Sequence, residues 1–181
     1  MGDMLDTLRE DHVNLSKLLV LLSDQLATLQ AGDTPDYNLM RDIVDYIDNY
    51  PDLVHHPRED VMFEVYLEHH RKQRKEINEL MEEHKLLPEL TDRLLESIDA
   101  ILSDAIQERE AFETRLYDYI QIQRRHLDTE EATVFPTIRA ALKEDDWRRI
   151  EAEVPHRHDP LFGDILEKQY ADLYERIRAS D

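Results

Sequence analysis

Residues 5–29 read LDTLREDHVNLSKLLVLLSDQLATL. Leu5, Leu8, Leu15, Leu19, Leu22, Leu26 and Leu29 recur in steps of three and four, which lines one face of a long amphipathic helix. The repeat has one substitution: where a leucine is due between Leu8 and Leu15, the residue is His12. A lone histidine in such a seam is ordinarily a core residue satisfied by a hydrogen bond.

The same period runs through the rest of the chain. Gly32 is expected to end the first helix and Asp33-Thr34-Pro35 to start the next, with Pro35 in its first turn. Leu39, Ile43, Ile47 and Tyr50 mark a helix to about Asn49, and Pro51 and Pro57 predict a turn before a second piece from about Pro57 to His69. A third long helix is expected from about Lys72 to Leu102. Its inward face is Ile77, Leu80, Met81, Leu87, Leu94, Leu95, Ile98 and Leu102, with a kink at Pro88. A fourth spans about Ala105 to Phe135 through Phe112, Leu116, Tyr119, Ile120, Leu127 and Val134, and Pro136 bends it rather than ends it. Asp145-Asp146 caps a short helix containing Trp147 and Ile150. A loop over 155–163 and a last helix from about Asp164 to Ile177 close the chain. The expected fold is all-α, an antiparallel four-helix bundle over about 4–142 with short C-terminal helices over about 143–181, in one domain.

Composition agrees. There are 181 residues, enough to bury a core without staples, and only three glycines. The formal net charge of −20 repels phosphate backbones and anionic membrane surfaces, so neither nucleic acid nor membrane is an expected partner. With no cysteine, disulfides, thiolate metal sites, iron–sulfur clusters and thiol nucleophiles are excluded. The charged opening residues do not read as a signal peptide and no apolar run reaches membrane-spanning length, so the expected location is cytoplasmic.

His12 does not stand alone. His84 lies seven residues after Ile77 and three before Leu87, and His126 lies seven after Tyr119, so both fall on helix seams. Glu130 follows His126 by four, and Glu59 follows His55 by four, which puts each glutamate on its histidine's face. Four helical elements thus each turn a histidine inward, and two add a glutamate. A buried carboxylate is costly unless paired or metal-bound. Neutral imidazole and carboxylate together suit iron, manganese and zinc, and a carboxylate can bridge two ions while histidines fill terminal positions.

His12, then His55-His56-Pro57-Arg58-Glu59-Asp60, then Glu83-His84, then Arg125-His126 followed by Glu130-Glu131 and Phe135-Pro136, resembles the bacterial hemerythrin-like (HHE cation-binding) domain. That family's signature is H…HxxxE…H…HxxxE, and all six positions are filled in order over about Met4 to Leu142. The resemblance implies a four-helix bundle holding a non-haem di-iron centre, in a family associated with oxygen binding and sensing. Carried over by position, His12 and His55 would bind one iron, His84 and His126 the other, and Glu59 and Glu130 would bridge. Oxygen-carrying members use a fifth histidine one turn before the third-helix histidine. Here that position is Leu80, which implies about one open position on each iron. Ferritin-like di-iron bundles instead need E-x-x-H, and the residues three before His84 and His126 are Met81 and Gln123.

The expected function is binding of dioxygen or a related small ligand at two iron ions, for storage or sensing, without enzymatic turnover. The alternatives are a di-iron oxidase or peroxidase, or an iron reservoir. Other residues are given structural roles. His56, adjacent to His55, is expected to point elsewhere; His69 and His70 flank a basic run and are expected in solvent, as are His156 and His158 in a loop. Tyr66 and Tyr119 face inward and are expected to pack the core, with supply of a further metal ligand by either, or by water, left open.

Overall fold

A computed structural model describes residues 3–154 and 158–180, and every regular element among them is helical. α1 spans Asp3–Gln30. It stops where Gly32 adopts φ +93°, a left-handed conformation that side chains disfavour, and donates its amide to the Leu29 carbonyl. α2 spans Tyr37–Asn49, and its N-cap is Asp36, whose carboxylate accepts the Leu39 amide at 3.0 Å. Pro35 therefore precedes the cap rather than sitting in the first turn.

No turn separates α2 from α3 (His56–His69). A five-residue π-helical segment, Pro51–His55, joins them. Its ring size is defined by the bond from the His56 amide to the Pro51 carbonyl. A second π-helical segment, Glu130–Val134, joins α5 (Arg109–Thr129) to α6 (Phe135–Ala141) and is closed by the Phe135 amide on the Glu130 carbonyl. Each ends two residues before a proline, Pro57 or Pro136. A proline ring crowds the carbonyl four residues back and offers it no N–H; a wider turn ahead of the proline keeps the chain helical where an α-helix would break. The helix containing Pro136 accordingly continues, as expected.

α4 spans Arg74–Leu102 and runs through Pro88 without interruption. Leu102, placed inward by its period, is exposed because the helix ends there. α5 starts at Arg109, not near Ala105: the Ala105 amide returns to the Ala100 carbonyl, and that closing turn uses up the intervening residues. α7 spans Glu144–Glu153, so Asp145 and Asp146 lie inside its first turn, where Asp146 accepts the Lys143 amide at 2.8 Å. α8 spans Ala171–Ser180 after a 3₁₀ turn at Lys168–Tyr170. Residues 164–167 are not helical, because the Glu167 amide closes a loop onto the Pro160 carbonyl.

α1 packs on α5 and α2 on α4, α4 also meets α5, α7 covers α3 and α8 covers α2. The apolar residues form two clusters. One holds Leu15, Leu22, Ile43, Val54, Leu94 and Phe112; the other holds Leu5, Leu8, Met62, Leu80, Val134 and Ile138. Each long element runs from one cluster to the other and passes a histidine on the way: Leu8 to His12 to Leu15, Val54 to His55 to Met62, Leu80 to His84 to Leu94, and Leu116 to His126 to Val134. The C-terminal residues pack on the same clusters: Ile150 joins one, and Leu161, Tyr170 and Leu173 join the other. No helix among the described residues is long and apolar enough to cross a membrane.

Candidate metal centre

Between the two apolar clusters lies a belt of buried polar side chains. His12 on α1, His55 at the end of the first π segment, Glu59 on α3, His84 on α4, His126 on α5 and Glu130 at the start of the second π segment are all buried there, both glutamates with no exposure at all. The six residues singled out by spacing are brought together.

Their geometry has two halves. The Nε2 atoms of His12 and His55 are 3.0 Å apart, and those of His84 and His126 are 3.2 Å apart. Glu59 presents Oε1 to the first pair, 3.3 Å from His12 and 3.2 Å from His55, and Oε2 to His84 at 3.4 Å. Glu130 presents Oε2 to His12 at 3.4 Å and Oε1 to His84 and His126 at 3.5 and 3.4 Å. Each glutamate therefore spans both histidine pairs with different oxygens. All four of these oxygens are buried and lack a hydrogen-bond partner. Anionic oxygens left so in a protein interior cost several kcal/mol unless a cation neutralises them, so the donor set fits a metal.

The outward nitrogen of each of these histidines is held as well. Asp11, beside His12, takes the Nδ1 hydrogen of His55 at 2.9 Å. Asp60, beside Glu59, takes that of His84 at 2.6 Å. Glu83, beside His84, takes that of His126 at 2.9 Å. Glu131, beside Glu130, takes that of His12 at 3.0 Å. The four carboxylates close a ring in which every element orients its neighbour's histidine. With the proton fixed on Nδ1, each Nε2 lone pair is aimed into the belt, the arrangement that tunes metal-ligating imidazole. Spacing did not single out these four; the available signal was an acidic residue next to a motif position on each element.

Charge accumulates on the rings. Burial opposes protonation of His12, but Glu131, Glu59 and Glu130 outweigh it and raise its pKa to about 10. Burial likewise opposes charge on His84, and Asp60, Glu130 and Glu59 raise it to about 10. For His55, Glu59 and Asp11 overcome burial and raise it to about 9. Burial works to raise Glu59, yet His55 and His12 hold its carboxyl well below the usual range. A proton or a metal ion is thus strongly drawn to the Nε2 of His12, His55 and His84.

One expectation about the neighbours is overturned. His56 does not point elsewhere: it is buried, and a ring nitrogen of it lies within 4.8 Å of ligand atoms of Glu59, His84 and His126. The π segment ending at His55 rotates the chain less per residue than an α-helix does, and the belt is wide, so His55 meets its His12 half while His56 meets the other. His69 and His158 are exposed, while His70 is half-buried against the Tyr66 ring at 4.8 Å; His156 lies outside the described residues. Tyr66 donates to the Lys72 carbonyl, and Tyr119 is engaged by Thr91 and Gln123. Both sit in the apolar clusters, and so does Leu80.

A model of the hemerythrin HHE cation binding domain matches residues 3–138. No curated protein and no solved structure gives a significant match. The matched region contains the whole His/Glu belt and its ring of carboxylates, and the chain belongs to the hemerythrin HHE cation-binding domain family.

Proposed function

We propose that the chain is a non-haem di-iron protein, an antiparallel four-helix bundle of the hemerythrin type, that binds dioxygen or a related small ligand for storage or sensing and is not an enzyme. The observation that carries this reading is the pair of glutamates, each offering one unpartnered buried oxygen to either histidine pair. A single cation needs no such doubling; two cations held side by side do.

His12 and His55 would hold one ion and His84 and His126 the other, with Glu59 and Glu130 shared between them. Iron at this place supplies a redox couple and an exchangeable coordination position, which a small diatomic ligand requires. The protein's part is orientation and exclusion. Asp11, Asp60, Glu83 and Glu131 hold the rings in one tautomer, while Leu8, Leu80, Val134 and Phe135 shut bulk water out on one side.

The test begins with metal analysis of protein from iron-supplemented cells, where about two irons per chain are expected. The reduced protein is then mixed with oxygen under visible spectroscopy. A new spectrum that reverts under vacuum supports binding. Sustained consumption of peroxide or of a reductant would replace the binding reading with an oxidase or peroxidase. Protein that takes up no metal would overturn the di-iron reading.

A further inference from the structure

The family resemblance leaves the fifth histidine position to Leu80, and Leu80 is buried among apolar side chains. Yet a fifth imidazole does reach the belt, from a different element. The His56 ring stacks on His84 with centroids 4.5 Å apart and meets His126 edge-on at 5.4 Å. Those distances bracket the 4.9 Å found both for His12 with His55 and for His84 with His126, the pairs assigned to common ions.

His56 also has an outer carboxylate beside it, although it lacks the aligned hydrogen bond that holds each of the other four. Its Nδ1 lies 3.1 Å from Oδ1 of Asp52, an outer carboxylate four residues back on the same element. Asp52 is itself anchored: Thr91 on α4 donates its hydroxyl to Oδ2 at 3.0 Å. That hydroxyl is 3.2 Å from the Tyr119 hydroxyl, which accepts from Gln123 on α5 at 3.2 Å. Asp52, Thr91, Tyr119 and Gln123 are all buried. This polar chain crosses a helix interface and fixes Asp52 beside the imidazole.

We propose that His56 is a fifth imidazole ligand, to the cation held by His84 and His126. This rests on the two-cation reading above. The chain thereby keeps five imidazoles while moving the fifth from α4 to α3.

The full chain loaded with cobalt(II) tests it. Each ligating imidazole with a protected Nδ1–H gives one strongly shifted proton resonance that vanishes in heavy water. Five such signals are expected, with two cobalt ions bound. His56→Leu is expected to remove one signal and weaken the second cobalt by at least about tenfold. Four signals in the unaltered protein with two cobalt ions bound would overturn the proposal, and this reading needs no variant. Failure to bind two cobalt ions would instead bring down the two-cation reading itself.

Discussion

Loading the protein with a divalent cation at about pH 7 is expected to expel about three protons from each chain. His12 and His84 are raised to about 10 and His55 to about 9, so all three rings carry a proton at that pH before a cation arrives. Metal needs the Nε2 lone pair, and the Nδ1 hydrogens stay with Glu131, Asp60 and Asp11, so the Nε2 proton is the one that leaves. His56 adds none, because burial and the adjacent His84 push it down to about 4, and Glu59 is already ionised. Uptake of the two cations should therefore tighten with pH by about three decades per unit, about 4 kcal/mol, between about pH 7 and about pH 9, and level off above about pH 10. The same protons act on the fold before loading. A pKa raised above the unfolded value stabilises the folded state fully below about 6.5, and that contribution is lost as pH climbs through 9 to 10. Stability without metal should fall across that range while the loaded protein holds. The assay is calorimetric titration with zinc in two buffers of different ionisation enthalpy, which yields the proton count directly. Proton release near zero, or affinity that does not change with pH, would refute the account of how the carboxylates charge these rings.

Three further outcomes are expected. Loading both positions at free metal about one hundred times Kd should add about 5 kcal/mol and raise the melting temperature by about 10–20 °C, read by calorimetry with and without chelator. His84→Ala should lose metal that His70→Ala retains, measured as metal per chain, since His84 faces both glutamates whereas His70 packs on Tyr66. Asp36→Ala should cost about 1 kcal/mol in thermal unfolding by removing the cap of α2. The Leu39 amide and Arg176 hold the Asp36 carboxyl below its usual range, so this contribution is present at neutral pH and lost as pH falls through that lowered value; an Asp36→Ala penalty that persists in strong acid would contradict it.

Much of this protein is written in its period. Leucines at steps of three and four require helices that bury one face, and a histidine standing in for a leucine on Leu5–Leu29 must then lie in the core, whatever the loops do. The HxxxE spacing does the same for Glu59 and Glu130, because residues four apart on a helix share a face. Local chemistry of that kind is carried by the chain itself. The identity of the outer carboxylates is not, because Asp11 serves His55 and Glu83 serves His126, partners 44 and 43 residues away that only packing brings close. His56 belongs to the same class. Periodicity assigns it to the wrong face, since a uniform α-helix cannot turn two adjacent residues into one site. The chain is not uniform there: Pro57 removes an N–H, the preceding turn widens to a π-helical segment, and that segment brings His55 and His56 into the same belt. What the sequence determines by itself is which residues face inward on a regular helix; tertiary structure decides where the helix departs from regularity and which carboxylate meets which ring.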